Sequence, residues 1–169
     1  MSKKKNTKNR RNINTYVLIL IIAGCLSFLG LRIFRIASED PYPEVVFVQR
    51  VIDGDTFVDR NKRRFRLIGV DTPELARNNQ PEEAFARKAT DFTKKHIKHK
   101  LVRLEYDREK FDKYNRFLVY VYTTDGKMLN RLLLEEGLAE VYRKADYRYK
   151  KEFYNLQNIA RKKKKGIWK

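Results

Sequence analysis

The stretch VVFVQRVIDGDTFVDRNKRRFRLIGVDTPE, residues 45–74, decides the fold. Val45–Ile52, Thr56–Asp59 and Arg63–Val70 are rich in β-branched and aromatic residues, and Asp53-Gly54-Asp55 and Asn61-Lys62 between them are turn formers. Three short strands joined by tight turns make a meander. From Pro81 to Ile97 the period changes: Ala84, Phe85, Ala89, Phe92 and Ile97 share one side with charges elsewhere, which predicts an amphipathic helix opening on Pro-Glu-Glu. Leu101–Tyr106 and Phe117–Thr123 return to strand composition around a charged loop, and Asp125-Gly126 marks a tight turn. Met128–Glu136 predicts a short helix stopped by Gly137, Ala139–Tyr142 a last short strand, and Tyr149–Lys164 a terminal helix ended by Gly166, with Ile167 and Trp168 packing back. Five short strands, a helix after the third and helices at the end predict an α+β fold, mainly β, built on a small closed barrel rather than a doubly wound sheet.

Composition bounds the class. The chain has 169 residues with 39 Lys+Arg against 21 Asp+Glu, a formal net charge of +18, and 42% hydrophobic residues. That is one domain with an appendage, apolar enough to bury a core. A single Cys excludes an intramolecular disulfide framework, and two His leave little for a zinc site. Residues 1–38 hold eight of the cations and no acid, so the remainder carries 31 cations against 21 acids, or +10. A domain this basic suits a polyanion, either nucleic acid or an anionic membrane surface.

Residues 1–11 form a basic tail, and the run Asn12–Leu31 is uncharged for twenty residues, enough to span a bilayer. Six basic residues precede it, which holds that side in the cytoplasm and sends the domain outside. The expected organisation is a transmembrane signal anchor over 12–36, a tether over 37–44 broken by Pro41 and Pro43, and the folded domain over 45–169. Two other fates stay open: a lipoprotein, because Ile22-Ala23-Gly24-Cys25 resembles a lipobox, and a cleaved secretory signal, for which Ile36-Ala37-Ser38 is a poor site.

Residues that carry chemistry gather at the turns. Asp53-Gly54-Asp55-Thr56 follows the first strand, Arg66 lies in the third, Asp71-Thr72-Pro73-Glu74 follows it, and Asp112-Lys113-Tyr114-Asn115-Arg116 precedes the fifth. Each acid alone would pass as a turn former. Together, Asp oxygens suit a hard cation such as calcium, and a Glu beside them can act as a base. An EF-hand is excluded, since loop position six from Asp53 is Val58 and position twelve is Arg64. Arg66 and Arg116 add forks for phosphate oxygens, and Lys113 and Tyr114 extend that grip. Metal-assisted phosphodiester hydrolysis uses every member. His96 and His99 stand in a basic run without carboxylate support, and Cys25 is remote from any base.

DGDT, FRLIGVDTPE, DKYNR, GLAEVY and GIW, in this order and spacing, resemble the staphylococcal-type thermonuclease family over roughly Val45–Trp168. The resemblance implies a five-stranded oligonucleotide/oligosaccharide-binding (OB) barrel with three helices, preceded here by the transmembrane helix, that cleaves DNA and RNA with a calcium ion. Carried onto this chain, it makes Asp55 and Asp71 metal ligands with the Thr72 carbonyl. Glu74 becomes the general base, Arg66 and Arg116 bind the reacting phosphate, Asp53 supports the ligands, and Lys113 and Tyr114 take a neighbouring phosphate. Asn115 departs from the Gly common before this arginine, although Asn tolerates left-handed backbone angles. The expected activity is a monomeric, membrane-anchored, extracytoplasmic nuclease that is indifferent to the sugar and prefers single strands. The alternatives are a barrel that binds nucleic acid without cleaving it, and a membrane-surface adaptor. Neither of these needs a carboxylate cluster that repels phosphate.

Overall fold

The computed structural model describes residues 44–76 and 80–169, together with Gly24. No helix among the described residues is long and apolar enough to cross a membrane. The span expected over 12–36 lies outside them apart from Gly24, as do the basic tail and most of the tether.

Five strands close a barrel in the order β1 (Val45–Val51), β2 (Thr56–Asp59), β3 (Arg64–Leu67), β6 (Phe117–Tyr122) and β5 (Leu101–Glu105). The first three are the predicted antiparallel meander, β3 pairs parallel with β6, and β5 joins β6 and β1 antiparallel. A closed sheet has no free edge, so every barrel strand finds partners on both sides. Alternation fills the interior: Val46 and Val48 from β1, Phe57 from β2, Phe65 and Leu67 from β3, and Val102 and Leu104 from β5 are buried. The register of β1 slips between Val48 and Arg50, where Gln49 bulges out, so that Val51 again faces inward.

Three helices cover the barrel: α1 (Ala86–Ile97), α2 (Leu129–Glu135) and α3 (Lys150–Lys162), with a final 3₁₀ turn at Gly166–Trp168. Buried Asn130 of α2 takes the Val121 N–H of β6 at 3.1 Å and gives its amide to the Ile68 carbonyl at 2.9 Å, so one side chain ties β6 to the end of β3. The Ile167 N–H donates to the Gly137 carbonyl at 2.9 Å, which is the predicted return of the C-terminus onto the end of α2.

Two boundaries differ from the sequence expectation by three residues or more. The third strand, expected to run unbroken to Val70, stops at Leu67. Gly69 has φ +75°, and Val70–Asp71 leaves the barrel as β4 to pair with β7 (Glu140–Val141). A Cβ on Gly69 would meet the Tyr147 ring at 2.5 Å, so the turn needs glycine. The first helix begins at Ala86 rather than Pro81, because Phe85 sits at φ +70°, outside helical angles. Pro43–Lys169 forms one compact unit. Its barrel and described core are complete within it, which is what independent folding requires.

Candidate active site

The β1–β2 turn is built by its own acids. The Asp53 carboxylate accepts the Asp55 N–H at 3.2 Å, and the Ile52 N–H donates to the Thr56 carbonyl at 2.8 Å. From below, Thr93 of α1 donates its hydroxyl to the Gly54 carbonyl at 2.6 Å. The turn after β4 is pressed against it: a Cβ on Gly54 would lie 2.6 Å from Thr72 Oγ1 and 2.8 Å from Thr72 Cγ2. This close approach lets Asp55 Oδ2 accept both the Thr72 N–H at 3.0 Å and its hydroxyl at 3.2 Å. Gly54→Ala is therefore expected to lower stability by about 1–3 kcal/mol through overpacking against Thr72. Thermal unfolding of residues 43–169 checks this, and an unchanged melting temperature would show that Thr72 moves aside freely.

Arg66 on β3 stands opposite Thr56 on β2 and reaches the same place. Its two terminal nitrogens divide between the acids: Nη1 pairs with Asp55 Oδ2, and Nη2 with Asp71 Oδ1 at 2.6 Å. Asp53 and Asp55 are buried, whereas the Asp71 side chain is 54% exposed. Crowding shows in the protonation equilibria. Burial and the neighbouring Asp55 charge push Asp53 up to about 6, with a smaller contribution from Glu74. Burial also raises Asp71 despite the opposing pull of Arg66. Burial works against the Arg66 cation, yet Asp55 and Asp71 outweigh it and hold the guanidinium above its ordinary value.

Arg116 comes from the loop before β6. Asp112 organises that loop by accepting the Tyr114 and Arg116 N–H groups at 2.9 Å through Oδ1 and Arg116 Nε at 2.6 Å through Oδ2. Burial acts to raise the Asp112 carboxyl, and these hydrogen bonds outweigh it and lower it. Asn115 has φ +58°, the left-handed angle expected of a residue in place of glycine. Tyr114 is 64% exposed, with the Arg116 guanidinium 5.4 Å and the Lys113 ammonium 4.9 Å from its ring centre. Arg66, Lys113, Tyr114 and Arg116 line one cleft of about 440 Å³. Asp71 and Thr72 line a second of about 540 Å³, and Tyr142 belongs to both walls. The Arg66–Asp71 pair thus joins the two clefts.

The structure brings Asp53, Asp55, Arg66, Asp71 and Thr72 into one network, and Lys113, Tyr114 and Arg116 line the same cleft as Arg66. Glu74 is exposed on the loop after Thr72. Its backbone is clasped by Glu83, whose carboxylate accepts the Glu74 N–H at 2.9 Å and whose own N–H donates to the Glu74 carbonyl at 3.0 Å. Sequence reasoning gave no role to Glu83, Thr93 or Asp112. Only Asp112 carried a signal, as an acid four residues before Arg116 at the head of a tight loop. The histidines are structural: His96 Nδ1 bonds to the Phe92 carbonyl at 2.7 Å, and His99 stacks beside Phe47. Tyr147 is buried with its hydroxyl on the Gly69 carbonyl, so it is not open to stacking on a base, and the half-buried Tyr149 donates its hydroxyl to Glu105 and stacks its ring on Phe153.

Whether a cation fits turns on the donor set. Among the described residues no group of three or more His, Cys, Asp or Glu side chains stands ready to hold a metal. Asp55 and Asp71 nonetheless present hard oxygens that already share one cation, the Arg66 guanidinium, and Asp53 adds negative charge behind them. This chemistry fits an oxygen-seeking divalent ion, with backbone carbonyl, water and substrate oxygens completing the six to eight ligands that calcium takes.

Residues 64–169 match the family model described as staphylococcal nuclease homologue. A thermonuclease of Staphylococcus intermedius is 42% identical over 166 residues, covering 94% of this chain and 98% of the relative. A thermonuclease of Staphylococcus hyicus is 42% identical over 137 residues, 78% of each chain. An uncharacterized endonuclease of Escherichia coli is 35% identical over 124 residues, 72% of this chain and 74% of the relative.

Proposed function

The chain belongs to the staphylococcal nuclease family and is a nuclease, and we propose that it hydrolyses DNA and RNA with calcium while tethered to a membrane. The observation that carries this reading is the double pairing of Arg66 with Asp55 and Asp71 at the mouth of the cleft shared with Arg116. A surface that only binds nucleic acid gains nothing from acids placed where phosphate must approach.

Asp55, Asp71 and the Thr72 carbonyl would hold the calcium ion, which when bound would supply positive charge for the phosphate oxygens and lower the pKa of a coordinated water. The protein's own groups do the rest. Arg66 and Arg116 bind the phosphate from two sides, and their planar forks strengthen as charge grows on its oxygens. Glu74, placed by the Glu83 clasp, accepts the proton of the attacking water. Lys113 and Tyr114 hold the next phosphate and keep the strand in register. Since these contacts go to phosphate and carry no base information, sequence preference should be weak and single strands favoured. Residues 43–169 are expected to cleave single-stranded DNA and RNA oligonucleotides of scrambled sequence at comparable rates. Confinement of cleavage to one short sequence, or to one sugar, would overturn the phosphate-only recognition.

We further propose that residues 12–36 anchor the protein with the nuclease outside the cytoplasmic face, since the six basic residues before Asn12 favour retention of the N-terminus inside. Protease added to intact spheroplasts should digest the domain, and the membrane fraction should retain the full-length protein through a high-salt wash. An unchanged apparent mass in Cys25→Ser supports a spanning helix, a heavier unprocessed form supports lipidation, and recovery in the cytosol defeats both.

A further inference from the structure

A second basic groove, of about 640 Å³, lies against β1, β2, β3 and the end of α1. Its floor includes Val58, and its walls carry Arg50, Arg60, Lys62, Arg64 and Lys98. All five cations are exposed, and among the described residues none has a carboxylate partner; only Arg60 has a side-chain contact of note, its guanidinium 4.4 Å from the Phe47 ring centre. The one acid in the lining, Asp59, is 2% exposed and already committed to Arg63 at 2.7 Å. Arg63, Arg66, Arg116, Arg131 and Arg148 all have ion-pair partners, so this groove concentrates charge that the fold leaves uncompensated.

Strand register connects the groove to the site. Arg50, Val58 and Arg64 stand side by side across β1, β2 and β3, and Arg66 follows Arg64 two residues along, with buried Phe65 between them facing the barrel. Residues two apart on a strand share a face and lie about 7 Å apart. A cationic track therefore leads from Lys98 through Arg50 and Arg64 to Arg66.

We propose that this groove is a second nucleic-acid contact. A single strand held at Arg66 continues over the outer face of β1, β2 and β3, its phosphates passing Arg64, Arg50 and Lys98. The inference rests on the nuclease reading of the site. An anionic bilayer would also attract these cations, but a groove whose Arg64 lies two residues along the same strand face from Arg66 suits a strand better than a flat lipid surface. Phosphate contacts along the track lengthen the bound segment without adding sequence preference.

The test compares residues 43–169 with the triple variant Arg50→Ser, Arg64→Ser, Lys98→Ser, whose exposed positions leave the core intact; thermal unfolding verifies this. Binding of a fluorescent single-stranded oligonucleotide of about 12 nucleotides, within the reach of an OB fold, is measured in EGTA across a salt series. The variant should bind at least about 10-fold more weakly, and its salt slope should fall by about 2, at ~0.7 for each phosphate that no longer meets a cation. Cleavage of a dinucleotide, too short to reach the groove, should be unchanged. Equal affinity and slope for the oligonucleotide would overturn the proposal. So would unchanged oligonucleotide binding accompanied by weakened binding to vesicles containing phosphatidylglycerol, which would assign the groove to lipid. If the unaltered protein cleaves neither substrate, the nuclease reading fails, and the affinity comparison still decides whether the groove binds a strand.

Discussion

Arg66→Lys and Arg116→Lys are each expected to lower kcat/KM on single-stranded DNA by about 10³-fold or more. Lysine keeps the charge but offers a point contact in place of a planar fork, and the contact that matters is the one that tightens as phosphate charge develops. The structure separates the two positions. Arg66 is also the shared counter-ion of Asp55 and Asp71, so its replacement loosens the acids as well as the proposed phosphate grip. Arg116 is bound to Asp112 through its Nε and its backbone N–H, so the backbone part of the loop should persist in the lysine variant. Affinity for uncleaved DNA should fall much less than turnover in both. Steady-state kinetics beside equilibrium binding read this split, and a near-normal rate in either variant removes that arginine from the chemistry.

Asp55→Asn is expected to abolish measurable turnover while sparing the fold. Asp55 accepts hydrogen bonds from Thr56 and from Thr72 twice, and one amide oxygen can replace only part of that pattern. Against this loss stands relief of repulsion, because the Asp55 charge contributes to pushing Asp53 up to about 6. That relief offsets only part of the loss, because Arg66 also loses one of its two counter-ions, so the melting temperature should fall while the domain still folds, whereas the proposed metal site loses an anionic ligand outright. Collapse of the fold in Asp55→Asn would show that the acid is chiefly structural. Full activity would exclude it as a ligand.

The legible part of the fold was local. The β-branched and aromatic runs in residues 45–67 and the turn residues between them place the meander correctly, because such side chains suit a pleated, packed strand and the turn residues suit the breaks. The break at Gly69 was hidden, since its cause is a ring 78 residues away in Tyr147. Phe85 hid the helix start for a different reason: a bulky residue at φ +70° runs against its own preference, and only the surrounding packing imposes it. The same division holds at the site. Asp53, Asp55, Arg66, Asp71 and Arg116 were readable because charged residues at turns beside apolar strands have few structural reasons to cluster. Glu83 was not, because it bonds to Glu74 nine positions earlier with no periodicity in the sequence to mark the pair. The pairing of β4 with β7, which fixes the backbone of Asp71, depends on a two-residue strand too short to announce its partner.

The most direct test of calcium-dependent hydrolysis at this site is the release of fragments from a single-stranded oligonucleotide by residues 43–169, first with calcium and then with excess EGTA and magnesium. Asp55 and Asp71 offer only hard oxygens, and calcium accepts the irregular, carbonyl-assisted coordination available here more readily than octahedral magnesium does. Cleavage should proceed with calcium, fall to background with EGTA and magnesium, and return when calcium is restored. Cleavage at an unchanged rate in EGTA with magnesium would contradict the account.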